Sequence, residues 1–270
     1  MSLDPRYLAV AVDAALAAGR LQLQYFRRDL HVRKKGVVDL VTEADVAVEQ
    51  ESRARVARHF PSHTFLGEEA GHAESDAGSA FQWIVDPIDG TTNFVHGLPL
   101  FCVSIALQID GRVDLGVVYA PVADELFTAE RGEGARLNGA RIQVTREPSL
   151  IDALLVTGFP PQAHGAYDEQ LVIFGEFLSR ARAVRRLGSA ALDLAHVAAG
   201  RFDAFWERSL HAWDVAAGTL LVEEAGGRVT SFGGGSFDPF GDQLLASNGV
   251  LHPQLIDVLG DVRRRMGGNS

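Results

Sequence analysis

A single cysteine, Cys102, stands among 270 residues, so no intrachain disulfide can form and the chain fits a reducing cytoplasm. Long apolar runs are missing too. The longest, Y-L-A-V-A-V-D-A-A-L-A-A-G, is broken by Asp13, and nothing reaches the roughly 18 apolar residues of a membrane span. The start, M-S-L-D-P-R-Y-L-A-V, lacks a basic stretch followed by an apolar one, so no secretory signal is expected. Cations are outnumbered, 25 Lys and Arg against 35 Asp and Glu, for a net charge of −10. That balance argues against a basic face for broad nucleic-acid binding. It also means that an anionic substrate would need bound cations beside it. Repeats and low-complexity segments are absent, and a 47% hydrophobic content is ample for one large or two ordinary domains with a substantial core.

Several catalytic signatures are missing as well. There is no G-x-x-x-x-G-K-[ST] loop for a nucleoside triphosphate and no G-x-S-x-G elbow for a serine hydrolase. Of the nine histidines, His96 and His211 near the motifs read as structural or pocket-wall residues. Cys102 has no downstream arginine at phosphatase spacing and sits in an apolar strand, as a buried thiol would.

What is present reads as two grammars. Apolar residues between Asp4 and Arg28 recur on one helical face. Val37–Val41 is strand-like, and T-E-A-D from Thr42 opens a second helix that stops before Pro61. Strand patterns follow at Trp83–Val85, Phe101–Ile109 and Val113–Tyr119, with tight turns at Asp110-Gly111 and Asn138-Gly139. After Ser149 strands and helices alternate. Strands are expected at Leu154–Thr157, Ala183–Leu187, Phe202–Trp206 and Leu244–Ser247, and helices at Tyr167–Ser179, Ala190–Ala199, Val215–Ala225 and from Pro253. Ser231–Asp242 is Gly-rich and reads as a surface turn. The chain thus predicts an α+β part over residues 1–148 and an α/β part over residues 149–270.

The chemistry concentrates in W-I-V-D-P-I-D-G-T-T-N-F, Trp83 to Phe94. An apolar strand delivers Asp86, Pro87 is expected to force a turn, and Asp89 precedes a glycine that lets backbone approach a ligand. If Thr91-Thr92 opens a helix, its free N–H groups could hold a phosphate. Two carboxylates beside a phosphate cradle make sense with hard cations between them. Taken alone, the segment reads equally as an Asp-Pro turn.

Three more segments change that balance: G-E-E at Gly67, W-D-V-A-A-G from Trp213, and L-V-T-E-A-D, which places Asp45 in a first helical turn. Together they resemble the inositol monophosphatase family, in that family's order and over nearly the whole chain. The stretch R-R-L-G-S-A-A-L-D-L-A-H-V-A-A-G-R-F-D-A-F-W-E, ending at Glu207, is similar to the bacterial members especially. The resemblance implies a layered αβαβα sandwich of the sugar-phosphatase type and a Mg²⁺-dependent phosphomonoesterase with two or three cations per site. Glu68, Asp86 and the Ile88 carbonyl would hold one ion; Asp86, Asp89 and Asp214 would hold a second. Thr91, positioned by Asp45, would help Glu68 activate a water. Asp89 and the amides of Gly90 and Thr91 would meet the substrate, with Ala190, the Gly188-Ser189 turn and Glu207 lining the polyol end. Lys34 or Lys35 would approach from a loop.

Bland readings stand beside these roles. Asp214 is also a good helix N-cap, Asp45 a favourable first-turn acid, Glu207 a solvated strand-end charge, Glu69 a surface acid or a support behind Glu68, and Asp193 structural. The resemblance further implies a cytoplasmic, lithium-sensitive homodimer acting on inositol monophosphate. Histidinol phosphate and fructose 1,6-bisphosphate remain open on the same site, and phosphoadenosine phosphates are disfavoured for want of an insertion. A binding role with the transcription machinery is the alternative from another class. Asp89→Asn is expected to abolish turnover and spare the fold, as for a surface-facing carboxylate.

Overall fold

The computed structural model describes residues 3–28, 32–34, 40–69, 71–72, 79–159 and 168–267. Helix α1 (Pro5–Tyr25) starts where Asp4 accepts the Arg6 amide and Pro5 occupies the first turn. Helix α2 (Glu43–His59) starts on a reciprocal cap between Thr42 and Asp45. Between them, β1 (Arg33–Lys34) pairs with β2 (Leu40–Val41). The expected strand at 37–41 is therefore seen at its last two residues, and 37–39 lie outside the described set.

Eight strands form the first sheet: β3 (Thr64–Gly67), β4 (Gly71–His72), β5 (Phe81–Asp89), β6 (Cys102–Ile109), β7 (Arg112–Ala120), β8 (Glu125–Glu130), β9 (Gly134–Leu137) and β10 (Ala140–Arg141). Their order is β10-β9-β8-β7-β6-β5-β3-β4. Only β3 and β5 run parallel. The two hairpin turns are where expected, with Asp110, Gly111, Asn138 and Gly139 all at positive φ. A short helix, α3 (Thr91–Val95), follows β5.

The second sheet takes β11 (Leu154–Thr157), β12 (Ala183–Arg185), β13 (Ala204–Arg208), β14 (Arg228–Thr230) and β15 (Gln243–Ser247) in the order β12-β11-β13-β15-β14. It is parallel across β12-β11-β13 and antiparallel across β13-β15-β14. Helices α4 (Asp168–Arg180), α5 (Ala190–Ala198), α6 (Ala212–Glu224) and α7 (His252–Gly267) complete the chain. The short strands β8, β9, β10 and β14 went unforeseen.

Five layers result. Helices α1 and α2 cover one face of the first sheet, where Val103, Ile105 and Leu107 meet Ala11, Ala14 and Val48. Helices α5 and α6 fill the space between the sheets, packing on Cys102 and Ala106 from one side and Val156 and Phe205 from the other. Helices α4 and α7 cover the outer face of the second sheet around Phe177, Trp206 and Leu255. The first sheet is thus buried on both faces, which is why its central strands read as near-continuous apolar runs. Each large side chain sealed there, such as Trp83 or Ile105, contributes about 1.5–3 kcal/mol of burial. The architecture is the expected αβαβα sandwich.

Candidate active site

Strand β5 does not turn at Pro87. It continues to Asp89 across an irregularity, with Asp86 opposite Ser104 and Asp89 opposite Cys102. Three steps on β5 therefore match two on β6, a bulge, and proline is tolerated there because the missing N–H breaks no regular ladder bond. The extra residue has a consequence for chemistry. Positions three apart on a regular strand face opposite sides; here the bulge lets both carboxylates reach one point. Gln22, buried in α1, donates to the Pro87 carbonyl at 2.7 Å, and the Ile88 amide donates to Asp86 Oδ1 at 2.9 Å. Gly90 follows at φ 97°, a left-handed turn that starts α3 at Thr91.

Asp214 arrives from the other side. It lies at the third position of α6 rather than at the N-cap, which is His211, and its carboxylate accepts the His211 amide at 2.7 Å. The helix starts earlier than expected because Ala212 and Trp213 are already helical. Oxygens of Asp86, Asp89 and Asp214 lie within 4.8 Å of one another. Glu68, in the turn after β3, lines the same cleft of about 610 Å³, together with Ile88, Gly90, Thr91, Ala190 and Glu207.

Asp89 is not surface-facing. It is 8% exposed, and the start of α5 grips it. Ser189 Oγ donates to Oδ2 at 2.6 Å, the Ala191 amide to Oδ2 at 2.7 Å, and the Ala190 amide to Oδ1 at 3.2 Å. An acid from the first sheet thereby caps a helix packed between the sheets. The sparing of the fold expected for Asp89→Asn loses its premise.

Burial pushes the Asp86 carboxyl well above the ordinary carboxylate range, and the charges of Glu68, Asp89 and Asp214 push it further. Asp214 is raised in the same way, by burial and then by Asp89. Asp89 is raised by burial against the opposing pull of its hydrogen bonds from Ser189, Ala191 and Ala190. Glu207 is raised by burial and by Asp214.

The remaining expected residues fall as follows. Asp45 is fully buried; its Oδ2 accepts from the Thr42 amide and hydroxyl, and burial lifts its pKa to about 6. Thr91 Oγ1 lies 3.4 Å from Asp45 Oδ1 but 3.0 Å from the Ile88 carbonyl, so the nearer acceptor is Ile88. His211 lines the cleft, stacked on Trp213 at 4.7 Å, whereas His96 is exposed and outside it. Cys102 is buried, 3.7 Å from Asp89 Oδ2. Asp193 is buried with no hydrogen-bond partner for either oxygen. The side chain of Lys34, and Lys35 altogether, lie outside the described residues.

Sequence reasoning missed Gln22, Glu49, Asn93 and the grip of Ser189 on Asp89. Asn93 donates to the Leu100 and Leu187 carbonyls at 2.7 and 2.8 Å, tying the loop after α3 to the turn before α5. A polar Gln22 amid the alanines of α1 was the one available signal. It missed Asp242 as well. This last residue of the Gly-rich stretch accepts from Arg208 at 2.6 Å and from Ser209 Oγ at 3.1 Å, at the rim of the cleft.

Three carboxylates with convergent hard oxygens, two of them buried, repel one another unless a cation lies between them. Hard divalent ions such as Mg²⁺ fit that donor set. Fold and cleft together define the sugar-phosphatase type of layered sandwich. The sequence pattern described as the inositol monophosphatase family matches residues 4–264, and the chain belongs to that family. It is 45% identical over 254 residues to the inositol-1-monophosphatase of Mesorhizobium japonicum, covering 93% of this chain and 95% of that protein. It is 44% identical over 264 residues to Nus factor SuhB of Escherichia coli K12, covering 96% and 98%. The crystal structure of the extragenic suppressor protein suhB from Bartonella henselae superposes with a TM-score of 0.90 at 41% identity, over 94% of this chain and 98% of that one.

Proposed function

We propose that the protein hydrolyses inositol monophosphate to inositol and phosphate, with Mg²⁺ as its cation and two or three ions per site. The observation that carries this reading is the meeting of Asp86, Asp89 and Asp214 within 4.8 Å in a cleft that Glu207 also lines. When bound, the cations would neutralise the carboxylates, ease deprotonation of a water and stabilise the leaving oxygen.

The chain's own groups do the rest. Glu68 takes a proton from the attacking water, whose oxygen adds to phosphorus as the P–O bond to inositol breaks in line, and the departing oxygen takes a proton from solvent water in the open cleft. Thr91 has a single hydroxyl proton, directed at Ile88 or Asp45, so its lone pairs face the cleft and orient that water. The amides of Gly90 and Thr91 open α3, where first-turn N–H groups have no partner within the helix, and they receive the phosphate. Glu207 accepts from substrate hydroxyls, and Ala190 forms wall, since its amide is spent on Asp89. Residues 1–148 supply Asp86 and Asp89 and residues 149–270 supply Asp214 and Glu207, so neither part is active alone. The reading extends to lithium inhibition, a homodimer and a cytoplasmic setting. No helix among the described residues is long and apolar enough to cross a membrane.

Phosphate release tests it. Inositol 1-phosphate, histidinol phosphate, fructose 1,6-bisphosphate and phosphoadenosine phosphate are offered with Mg²⁺ titrated from zero. A Mg²⁺-dependent preference for inositol 1-phosphate is the expected result; another preference keeps the site and changes the substrate. A second reading, binding to the transcription machinery, is favoured by the likeness to a protein named Nus factor. Retention of partner binding by a folded variant without turnover supports it, and no association in a pull-down removes it.

A further inference from the structure

Helix α2 carries two buried carboxylates four residues apart, Asp45 and Glu49, at 0% and 3% exposure. That spacing puts them on one face of the helix. Asp45 faces Thr91, as described above. Glu49 faces the turn after β3. Its Oε2 accepts the Glu69 amide at 2.8 Å. Gly67 lies flush on the same carboxylate: a Cβ built there would sit 2.4 Å from Glu49 Cδ and 2.4 Å from Oε2, closer than a real contact allows. The residue before Glu68 and the residue after it therefore both rest on one buried carboxylate.

We propose that Glu49 is a positioning residue that fixes the backbone of Glu68 and so aims the Glu68 carboxylate at the cleft. This rests on the reading of Glu68 as base and cation ligand. Without Glu49, the Glu69 amide loses this acceptor and Gly67 loses the carboxylate it packs on, while β3 keeps its pairing to β4 and β5, so the backbone on either side of Glu68 is less closely fixed. With it, one rigid helix anchors both groups that meet the attacking water, Thr91 through Asp45 and Glu68 through Glu49. Glycine at 67 is then required for close approach: its backbone must touch the carboxylate that holds its neighbour.

The test compares Glu49→Ala, Glu49→Gln and Gly67→Ala with the unaltered protein. Mn²⁺ binding is measured calorimetrically without substrate, beside thermal melts and the kcat and KM for inositol 1-phosphate. Glu49→Ala is expected to weaken Mn²⁺ binding about tenfold or more, the usual scale for losing a group that orients a ligand, and to lower kcat with KM little changed. Glu49→Gln keeps an oxygen for the Glu69 amide and stays closer to the unaltered protein than Glu49→Ala does. Gly67→Ala, which retains the carboxylate but displaces it, follows Glu49→Ala and decides the matter if that variant fails to fold. Unchanged Mn²⁺ affinity in folded Glu49→Ala or Gly67→Ala overturns the proposal. So does a Glu49→Gln defect as large as that of Glu49→Ala. An unaltered protein that binds Mn²⁺ but releases no phosphate from any ester defeats the phosphatase reading instead, and leaves Glu49 to be judged on the binding titration.

Discussion

Asp86 and Asp89 lie three residues apart on one strand, yet the two walls of the cleft treat them differently. Asp86 receives the Ile88 amide from its own bulge, while Asp89 reaches across to the facing wall and takes a hydroxyl and two amides from the start of α5. The first wall, built on the eight-stranded sheet, gathers like charges. The second, built on α5 and α6, presents helix starts, whose exposed N–H groups favour negative charge. The difference teaches that a carboxylate placed where it could meet a cation can also be part of the architecture. Asp89 joins two layers of the sandwich, whereas Asp86 is held mainly against the repulsion of its neighbours.

The largest expected effect breaks this contrast open. Asp86→Asn and Asp89→Asn should each cut turnover by on the order of 10²–10³-fold, the scale for losing one preorganised electrostatic group. Their cation-free thermal stabilities should diverge. Asp86→Asn removes a repelling charge and should melt no lower than the unaltered protein. Asp89→Asn turns an amide –NH₂ toward donors of Ser189, Ala190 or Ala191, and should cost about 1–3 kcal/mol. Denaturation in chelator reads both; equal melting shifts would remove the distinction between the walls.

A smaller effect comes from pH. Asp45, beneath the first wall, has its pKa raised from 3.8 to about 6 by burial. The folded protein therefore holds that proton more tightly than the unfolded chain, and cation-free stability is lost as pH rises from about 4 through about 6. His252, behind the second sheet, is buried between Thr230 and Ser247 at 2.8 Å each, and burial depresses its pKa from 6.5 to about 4. Here the unfolded chain binds the proton better, so stability is lost as pH falls from 6.5 to about 4. Each group contributes a slope of up to about 1.4 kcal/mol per pH unit, opposite in sign. Asp45→Asn should flatten the first and His252→Gln the second in urea titrations across this range. An Asp45→Asn profile identical to that of the unaltered protein would refute the first assignment.

The smallest effect sharpens the account of the second wall. Ser209 has φ 59° in the turn from Glu207 to α6, a conformation costly for any residue but glycine. The Asp242 clamp holds it there. Ser209→Gly should stabilise the protein by about 1 kcal/mol, with kcat unchanged. A lower melting temperature would show that the Ser209 Oγ bond to Asp242 outweighs the relief of strain.

Much of this protein could be read before folding it. The helix start at Thr42, the hairpin turns at Asp110-Gly111 and Asn138-Gly139, and the alternation after Ser149 each follow from local preference, because the physics acts within a few residues. Both sheets were legible in outline, yet β8, β9, β10 and β14 were not. They are short or partly exposed, and pairing with neighbours rather than their own pattern makes them strands. At the site, the carboxylates stood out as a motif. The misreadings were of environment. Pro87 looked like a turn because nothing local announces a bulge; Asp89 looked exposed because its three donors lie a hundred residues away in sequence. Gln22 and Glu49 were silent for the same reason.

Sequence alone determined which side chains are available for chemistry: which carboxylates stand near one another, which glycine permits a left-handed turn, and which helices begin with an acid. It determined the family too, since those segments occur together and in order. Tertiary structure decided what each carboxylate feels. Whether an acid is repelled, capped or set against a helix start depends on groups brought together by packing the two sheets around α5 and α6. Burial and electrostatic interaction act through space, over a few ångströms, whatever the separation along the chain.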